Sequence, residues 1–288
     1  MSAAPSPVDP RVLAAAVASA LAEDVGSGDI TTSACVPADM TACGSIIARE
    51  PGVVSGIYVC REVFAQLDSS LAFEALLPEG ADFASDTAVA RIDGLARPIL
   101  TGERVALNFL QRLCGIATLT RTYARALEGT SCRLLDTRKT TPGLRAFEKA
   151  AVRAGGGGNH RFALYDGFLI KDNHIAAAGS ISAAVSAARA VAAPTAAIEV
   201  EVQSFAQLDD ALAASADVIM LDNFTPEQVS EAVRRIAGRA RTEASGGVSL
   251  DTLRAYAEAG VDFISVGRLT HSAPTIDLNL ELAAHVRA

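Results

Sequence analysis

Short apolar runs alternate with longer amphipathic stretches in the second half of the chain. Six runs have the length and composition of buried strands, at residues 132–136, 167–171, 197–202, 218–221, 241–244 and 263–266. Helical patterns lie between them at residues 180–193, 205–214, 226–238 and 249–260. Alternating strands and helices predict a parallel sheet, and this number of units favours a β/α barrel. A doubly wound open sheet is the alternative, although no GxGxxG sequence follows the first strand.

The first half of the chain has a different pattern. Asp9 and Pro10 precede an alanine-rich segment and predict a capped first helix. Strand-like runs at 45–48, 53–58, 71–77 and 88–92, with a short helix at 59–66, predict a small α+β domain. A long amphipathic helix is expected to start near Thr101 or Gly102. That start puts Arg104 in the first turn, where a cation opposes the helix dipole and therefore needs a reason.

Composition narrows the class of protein. The 288 residues are half apolar, and the formal net charge of −8 argues against general nucleic-acid binding. No apolar run approaches the ~20 residues of a membrane span, and the first residues do not resemble a secretory signal. The five cysteines form no CxxC pair, so we expect reduced thiols in a cytoplasmic protein.

One stretch opposes the acidic balance of the chain. Residues 133–174 contain eight lysines and arginines against four carboxylates, together with His160 and His174. A solvated basic face is the simple interpretation of such a run. Strand-like and glycine-rich segments interrupt the charges here, which favours an anion site because Arg and Lys pair with carboxylate and phosphate.

Polar residues also follow the predicted strands at their carboxyl ends. These ends read DTRK (136–139), KDNH (171–174), LDN (221–223), EASGG (243–247) and VGR (266–268). The run at 198–202 reads IEVEV, so Glu199 and Glu201 share the face opposite its three aliphatic residues. Buried charges without partners are costly, so we expect these groups to face one ligand site at the carboxyl ends.

The candidate residues fall into three chemical groups. Five residues can supply positive charge for an anionic ligand, namely Arg138, Lys139, His160, Arg161 and Lys171. Thr137, which precedes Arg138, is a further candidate for substrate binding. Glu201 and Asp222 can bind Mg²⁺ or stabilise a cationic transition state. Backbone N–H groups at the last two strand ends can bind a phosphate, and these ends hold Ser245, Gly246, Gly247, Val266, Gly267 and Arg268. The glycine run 155–158 is either a flexible loop or a hinge that closes His160 and Arg161 over a ligand.

The motifs resemble those of the quinolinate phosphoribosyltransferase family over essentially the whole chain. The matching segments are EDVGSGDITT (23–32), TGERVALNFLQ (101–111), RKTTPGLR (138–145), GGGGNHR (155–161), LIKDNH (169–174), EVEV (199–202), LDNF (221–224), EASGG (243–247) and VGRLTHSAP (266–274). The resemblance implies a phosphoribosyl-transferring glycosyltransferase. It would convert quinolinate and phosphoribosyl pyrophosphate to nicotinate mononucleotide, pyrophosphate and CO₂ in NAD biosynthesis.

The resemblance also implies an architecture. We expect an incomplete, TIM-like β/α barrel at residues 113–274. We expect a smaller N-terminal α/β sandwich domain at residues 1–112, joined by the C-terminal segment 275–288. The resemblance also implies a homodimer with a shared active site, and it leaves further assembly open. Composition, as described above, predicts a cytoplasmic protein with no nucleic-acid or membrane partner.

Residue roles carry over by the same resemblance. Quinolinate would be held by Arg138, His160, Arg161, Lys171 and, from the neighbouring subunit, Arg104. The catalytic residues implied are Lys139, Lys171, Glu201 and Asp222. They would act on phosphoribosyl pyrophosphate, its Mg²⁺ and the charge that develops at the ribose. The 5′-phosphate would lie on residues 245–247 and 266–268.

Three positions depart from the family pattern, namely Cys114, Ala150 and Arg268. Arg138 and Lys139 raise a separate geometric condition, because neighbours on a strand point to opposite faces. Both reach one site only if the strand ends before them. The rivals are a related phosphoribosyltransferase-like protein, such as one associated with molybdenum transport, and a non-catalytic sensor of phosphate ligands.

Overall fold

The computed structural model describes residues 6–284 and divides them into two compact units. One unit holds the described residues up to Arg121, the segment Thr141–Gly156 and the described residues from Ser272 on. The other unit holds Thr122–Thr140 and Gly157–His271. The sequence boundaries near residues 112 and 274 stay a prediction, and the compact units differ from them chiefly because Thr141–Gly156 belongs with the first unit.

A four-stranded antiparallel sheet forms the centre of the first unit. Its order is β12–β1–β5–β3, with β1 at Thr41–Ala48, β3 at Ala72–Ala75, β5 at Ala88–Leu95 and β12 at Leu278–Ala284. Two short strands, β2 at Gly52–Val53 and β4 at Asp82–Phe83, form a separate pair. The last strand of this sheet, β12, comes from the far end of the chain.

Helices accompany this sheet. They are α1 at Pro10–Val25, α2 at Ile30–Cys35, α3 at Ile57–Leu67, α4 at Ala96–Ala126 and α5 at Arg145–Ala154. A Cβ on Gly44 of β1 would lie 3.2 Å from Ile99, so α4 packs closely on the sheet. Asp9 caps α1 by accepting a hydrogen bond from the Arg11 N–H, as predicted.

Two predictions for the first unit are wrong. The predicted strand 53–58 stops at Val53, and Gly56 instead precedes α3 with φ +103°. Helix α4 begins at Ala96 rather than near Thr101, because Pro98 in the first turn lacks only an N–H that has no helical partner there. Arg104 therefore lies in the third turn of α4, and the expected conflict with the helix dipole does not arise.

The second unit contains six parallel strands, all close to their predicted positions. They are β6 at Arg133–Leu135, β7 at Phe168–Ile170, β8 at Ile198–Val202, β9 at Val218–Asp222, β10 at Arg241–Ser245 and β11 at Phe263–Ser265. The intervening helices are α6 at Asp172–Ala178, α7 at Ile181–Val191, α8 at Phe205–Ala213, α9 at Pro226–Ile236, α10 at Leu250–Glu258 and α11 at Arg268–His271.

Strand order identifies the architecture. The order is β6–β11–β10–β9–β8–β7, so the first strand pairs with the last and every other step runs in one direction. A doubly wound sheet reverses direction part-way, so the fold is a β/α barrel left open between β6 and β7. Gly158 lies at that opening as an isolated bridge to Leu135 of β6. Fully buried Ile198, Val200 and Val202 of β8 pack toward the surrounding helices, as their alternation predicted.

Candidate active site

A pocket of about 510 Å³ opens at the carboxyl ends of the barrel strands. It is lined by Thr137, Arg138, Lys139, His160, Arg161, Leu169, Lys171, Glu201, Met220, Asp222, Ser245, Gly246 and Ser265. All these residues belong to the second unit, and ten of them are residues that the sequence predicted as a site. Leu169, Met220 and Ser265 are additions that sequence reasoning missed, since they read as ordinary strand residues.

The end of β6 allows two neighbouring cations to face the pocket. Strand pairing stops at Leu135, and Thr137 then accepts a hydrogen bond from the Lys139 N–H at 3.0 Å. This turn removes the strand alternation, so Arg138 and Lys139 both line the cavity. The geometric condition raised by the sequence is met.

Arg138 and Arg161 give the pocket an uncompensated positive character. The Arg138 Nε–H is buried and has no hydrogen-bond partner among residues 6–284. Burial lowers the pKa of Arg161, and the neighbouring Arg138 guanidinium lowers it further. Arg161 is fixed by a 3.0 Å hydrogen bond from Nη1 to the carbonyl of Gly167. Two adjacent guanidinium groups without a bound carboxylate make a favourable site for an anion.

Lys171 and Glu201, which both line the pocket, form an ion pair. The Lys171 ammonium donates to the Glu201 Oε2. Lys171 itself precedes α6, where its N–H donates to the His174 Nδ1 at 3.0 Å. His174 thus has a capping contact with the start of the helix, which explains its place in the LIKDNH motif without a role in the cavity.

Asp222 lies beside this pair at the end of β9. Its Oδ2 accepts hydrogen bonds from Asn223 Nδ2 at 2.9 Å and from Gln203 Nε2 at 3.4 Å. Asp222 Oδ1 and Glu201 Oε1 have no hydrogen-bond partner within the described chain. The two carboxylates therefore keep one oxygen each for a cation, and Mg²⁺ is usually bound by one or two carboxylates together with water and phosphate oxygens. The donor set fits the predicted Mg²⁺ site.

The backbone after β10 is shaped by two consecutive glycines. Gly246 has φ +88° and Gly247 has φ +66°, both in the left-handed region. A Cβ on Gly246 would lie 2.3 Å from Asn223 Oδ1, so no larger residue fits there. The N–H groups of both glycines have no partner within residues 6–284, which leaves them available to a phosphate.

The last strand end differs from the expectation of free N–H groups. The Val266 N–H donates to the Leu135 carbonyl at 3.0 Å, so it is committed to the barrel. Gly267 contacts the aliphatic part of Lys139, since a Cβ there would lie 3.0 Å from Lys139 Cδ. Arg268 is exposed at the start of α11, and Gly247, Val266, Gly267 and Arg268 are not among the pocket-lining residues.

A buried acidic cluster lies next to the pocket. His160 Nε2 is 3.0 Å from Glu199 Oε2 and 3.8 Å from Glu243 Oε1. Burial, followed by the nearby Glu199 carboxylate, raises the pKa of Glu243 to about 7. Strand alternation on β8 indicated an inward Glu199, but the sequence did not single out Glu243. Its proximity to His160 depends on the register of β8, β9 and β10, which no local signal contains.

Other parts of the basic stretch are structural. Lys149 on α5 is 1 % exposed and is therefore not the surface charge that the sequence allowed. The glycine run 155–158 is not a free loop, because a Cβ on Gly155 would lie 2.4 Å from the Ala117 carbonyl and the Gly158 N–H pairs with Leu134. These close approaches require glycine at both ends of the run.

Arg104 belongs to the first unit and is exposed. Its side chain is 58 % accessible, and the Glu103 carboxylate lies at 4.0 Å. The three departures from the family pattern are not among the pocket-lining residues. Cys114 is buried in a contact with Ser55, and Ala150 is buried in α5.

A second cavity, of about 630 Å³, lies at the opposite ends of the barrel strands. It is lined by residues that precede or begin β9 and β10, such as Asp217 and Arg241, together with Asp262. Arg189 already pairs with Asp217 there at 2.8 Å. Catalytic groups of β/α barrels collect at the carboxyl ends of the strands, so the pocket that contains Glu201 and Asp222 is the candidate active site.

Comparison with known proteins identifies the family. The model of the quinolinate phosphoribosyl transferase C-terminal domain matches residues 116–281, and that of the N-terminal domain matches residues 29–114. The chain belongs to the quinolinate phosphoribosyltransferase family. The two matched family domains meet within α4, close to the boundary predicted from sequence.

Relatives agree with this assignment to the quinolinate phosphoribosyltransferase family. The nicotinate-nucleotide pyrophosphorylase (carboxylating) of Mycobacterium leprae is 46 % identical over 269 residues, which cover 91 % of this chain and 94 % of that protein. The crystal structure of NadC from Streptococcus pyogenes superposes with a TM-score of 0.93 at 43 % identity, covering 98 % of this chain and 100 % of that one. The Francisella tularensis nicotinate-nucleotide pyrophosphorylase gives a TM-score of 0.90 at 38 % identity, with 96 % and 98 % covered.

Proposed function

We propose that this protein transfers the phosphoribosyl group of phosphoribosyl pyrophosphate to quinolinate. The products are nicotinate mononucleotide, pyrophosphate and CO₂, in the synthesis of NAD. The observation that carries the proposal is one pocket that is lined both by a pair of guanidinium groups and by a pair of carboxylates. A dianionic acceptor fits the first pair, and a donor that develops positive charge at its ribose fits the second.

Quinolinate has two adjacent carboxylates, and nicotinate has one. Arg138 and Arg161 supply two planar groups suited to bidentate binding of such carboxylates. The buried, unpartnered Nε–H of Arg138 gains a hydrogen bond only when an anion arrives. The pocket therefore selects the acceptor with two carboxylates, because a monocarboxylate leaves one of the two guanidinium groups without its partner.

The reaction then needs little covalent chemistry from the protein. The ring nitrogen of quinolinate forms a bond to C1 of the ribose while the bond from C1 to pyrophosphate breaks. Glu201 and Asp222 stabilise the positive charge that develops at the ribose. The ribosylated ring is cationic, so the carboxylate next to the nitrogen leaves as CO₂, its bonding electrons stay on the ring carbon, and a proton takes its place.

Binding groups complete the proposed site. Lys139 and Lys171 lie along the same cavity and neutralise phosphate oxygens of the donor. The N–H groups of Gly246 and Gly247 hold the 5′-phosphate. Glu201 and Asp222 would hold Mg²⁺, which would supply charge neutralisation for pyrophosphate.

The assembly is part of the proposal. Arg104 is an exposed cation outside the barrel unit, and we propose that it completes the quinolinate site of a second subunit in a homodimer. Mixing Arg104→Ala with Lys171→Ala should restore part of the activity, because half of the sites in a mixed dimer would then have both residues intact. Mixed dimers that form without recovering activity would exclude a shared site. We place this enzyme in the cytoplasm, where its five free cysteines stay reduced.

The activity itself is tested by product analysis. Purified protein with quinolinate, phosphoribosyl pyrophosphate and Mg²⁺ should form nicotinate mononucleotide, and nicotinate in place of quinolinate should give little product. An Asp222→Asn variant that keeps the fold should lose most of this activity. Absence of nicotinate mononucleotide at any substrate concentration would contradict the proposed function.

A further inference from the structure

Three side chains from separate segments meet beside the candidate pocket. His160 follows the barrel opening, Glu199 lies on β8 and Glu243 lies on β10. Glu199 is 7 % exposed and Glu243 is 2 % exposed, so both carboxyl groups are removed from water. Barrel interiors are normally filled by branched apolar residues. Two acidic side chains in that position therefore need a reason beyond packing.

The carboxyl groups are incompletely paired by the surrounding protein. Glu199 Oε1 and Glu243 Oε1 have no hydrogen-bond partner within residues 6–284. The Ser265 hydroxyl lies beside Glu243 and lowers the pKa of that carboxyl, but this effect is smaller than the effect of burial. A buried polar group without a partner destabilises a fold, and an aliphatic residue in place of either glutamate would avoid that penalty. The cluster thus lowers stability, and it contacts the site through His160, whose Nε2 lies 3.0 Å from Glu199 Oε2.

His160 is fixed through all its polar atoms. Its backbone N–H donates to Asp136 Oδ1 at 2.8 Å, and Asp136 Oδ2 also accepts from the neighbouring Asn159 at 2.6 Å. The ring Nδ1 accepts the Arg161 N–H at 2.6 Å. The ring Nε2 faces Glu199 Oε2 at 3.0 Å. Since Nδ1 accepts a hydrogen bond, the proton on Nε2 is the one donated to Glu199.

This arrangement leaves His160 no ring N–H for a ligand. The orientation of the ring affects the next residue instead, because the Arg161 N–H donates a hydrogen bond to the imidazole Nδ1. Arg161 is one of the two guanidinium groups that face the anion pocket. A change in ring orientation would therefore move the main chain that presents this guanidinium, and shifts of about 1 Å are enough to weaken a binding site substantially.

We propose that Glu199 and Glu243 are positioning residues, which hold the His160 imidazole in one tautomer and orientation so that Arg161 is set to bind the dicarboxylate. Glu199 makes the direct hydrogen bond, and Glu243 lies behind it at 3.8 Å from the ring nitrogen. Neither carboxylate touches the substrate. The inference rests on the proposed function for its substrate, but its structural part concerns His160 alone.

Kinetics separates positioning from a general loss of fold. Glu199→Ala should raise the KM for quinolinate about tenfold or more, as removal of groups that orient a binding side chain does. The KM for phosphoribosyl pyrophosphate should change less than about twofold, because Lys139 and Asp222 do not depend on this contact. Glu199→Gln keeps an oxygen that accepts from His160 Nε2 and should recover most of the loss. Glu243→Ala should act in the same direction with a smaller effect, in line with its longer distance.

Thr242, which precedes Glu243 on β10, provides a matched control. Thr242 on β10 is 3 % exposed and its hydroxyl donates to Asp262 at 2.8 Å. Thr242→Val should lower stability and leave both KM values unchanged. If Thr242→Val and Glu199→Ala alter both KM values alike, the effect of Glu199 is structural and the proposal is wrong.

Spectroscopy tests the inference without any substrate. The chain has only four histidines, so His160→Gln assigns the His160 ring signals in ¹⁵N NMR spectra. We expect His160 to be the tautomer protonated on Nε2, and we expect Glu199→Ala to shift or mix that signal while Thr242→Val leaves it unchanged. An unchanged His160 signal in folded Glu199→Ala would overturn the proposal. A shifted signal in a protein that does not turn over quinolinate would support the positioning of His160 and contradict only the proposed function.

Discussion

Glu243 should make the stability of this protein depend on pH in a way that one substitution removes. Burial and the nearby Glu199 raise its pKa from the usual 4.5 to about 7 in the folded protein. The unfolded chain ionises this group at lower pH than the folded chain. Protonation of Glu243 therefore favours the folded state. This contribution to the free energy of unfolding is fully present below about pH 4.5 and is lost as the pH rises to about 7.

The size of the effect follows from the two pKa values. At about 1.4 kcal/mol per pH unit, the change in pKa from 4.5 to about 7 corresponds to an upper bound of roughly 3 to 4 kcal/mol. Most of this change falls between pH 5 and pH 8. Glu243→Gln has no ionisable group, so its free energy of unfolding should rise relative to the parent protein by about that amount across the interval.

Urea unfolding followed by far-UV circular dichroism at pH 5, 6, 7 and 8 measures this difference. Comparison with the parent protein at each pH removes the contributions of all other titrating groups. Thr242→Val is the control, because it removes a buried hydroxyl that does not titrate in this range and should give a constant offset. A difference between parent and Glu243→Gln that is the same at every pH would refute the conclusion that Glu243 is held in its neutral form.

Three further substitutions test other parts of the account. Gly246→Ala should cost about 2 kcal/mol or more of stability and raise the KM for phosphoribosyl pyrophosphate, because its Cβ would lie 2.3 Å from Asn223 in a left-handed backbone; unchanged urea unfolding and KM would contradict this. Glu148→Ala should lower the free energy of unfolding by about 3 kcal/mol, because it removes the carboxylate that lies 2.9 Å from Nη2 of the largely buried Arg112. A loss below about 1 kcal/mol would show that this ion pair is dispensable. Arg138→Lys should raise the KM for quinolinate about tenfold by removing the planar donor set, while an equal change for both substrates would argue against a role in the dicarboxylate site.

The barrel could be predicted from the local sequence pattern, because strands and helices alternate regularly there and each has its own local signal. Buried strands of five residues, such as β8 and β9, stand out as apolar runs, and helix starts such as Thr225–Pro226 have recognisable caps. Cations and carboxylates at strand ends could also be predicted, since parallel strands bring their carboxyl ends to one side. Seven of the charged candidates do line the same cavity.

Failures occurred where a distant partner determines local structure. Residues 53–58 have strand-forming composition, but the Glu79 carboxylate accepts hydrogen bonds from the Gly56 and Ile57 N–H groups and so favours the start of α3 there. This contact joins positions 22 residues apart and has no local signal. The start of α4 was missed for another reason, because Pro98 reads as a break although the first helical turn accepts it.

The buried acidic cluster was beyond sequence reasoning for a related reason. Glu243 precedes a polar strand end and looks like a member of the pocket. Its side chain lies instead beside His160, which is 83 residues earlier in the chain and at the opening between β6 and β7. Only the strand order of the barrel brings the two together. The glycine run 155–158 was equally ambiguous, since close packing on α4 and pairing with β6 are both tertiary contacts.

No helix within residues 6–284 is long and apolar enough to cross a membrane. The central claim is tested on the purified chain through the stoichiometry of one reaction. Quinolinate labelled in the carboxyl group next to the ring nitrogen is incubated with phosphoribosyl pyrophosphate, Mg²⁺ and enzyme. The account expects labelled CO₂, pyrophosphate and nicotinate mononucleotide in equal amounts, each dependent on both substrates. Pyrophosphate release without labelled CO₂, or equal turnover of nicotinate, would contradict it.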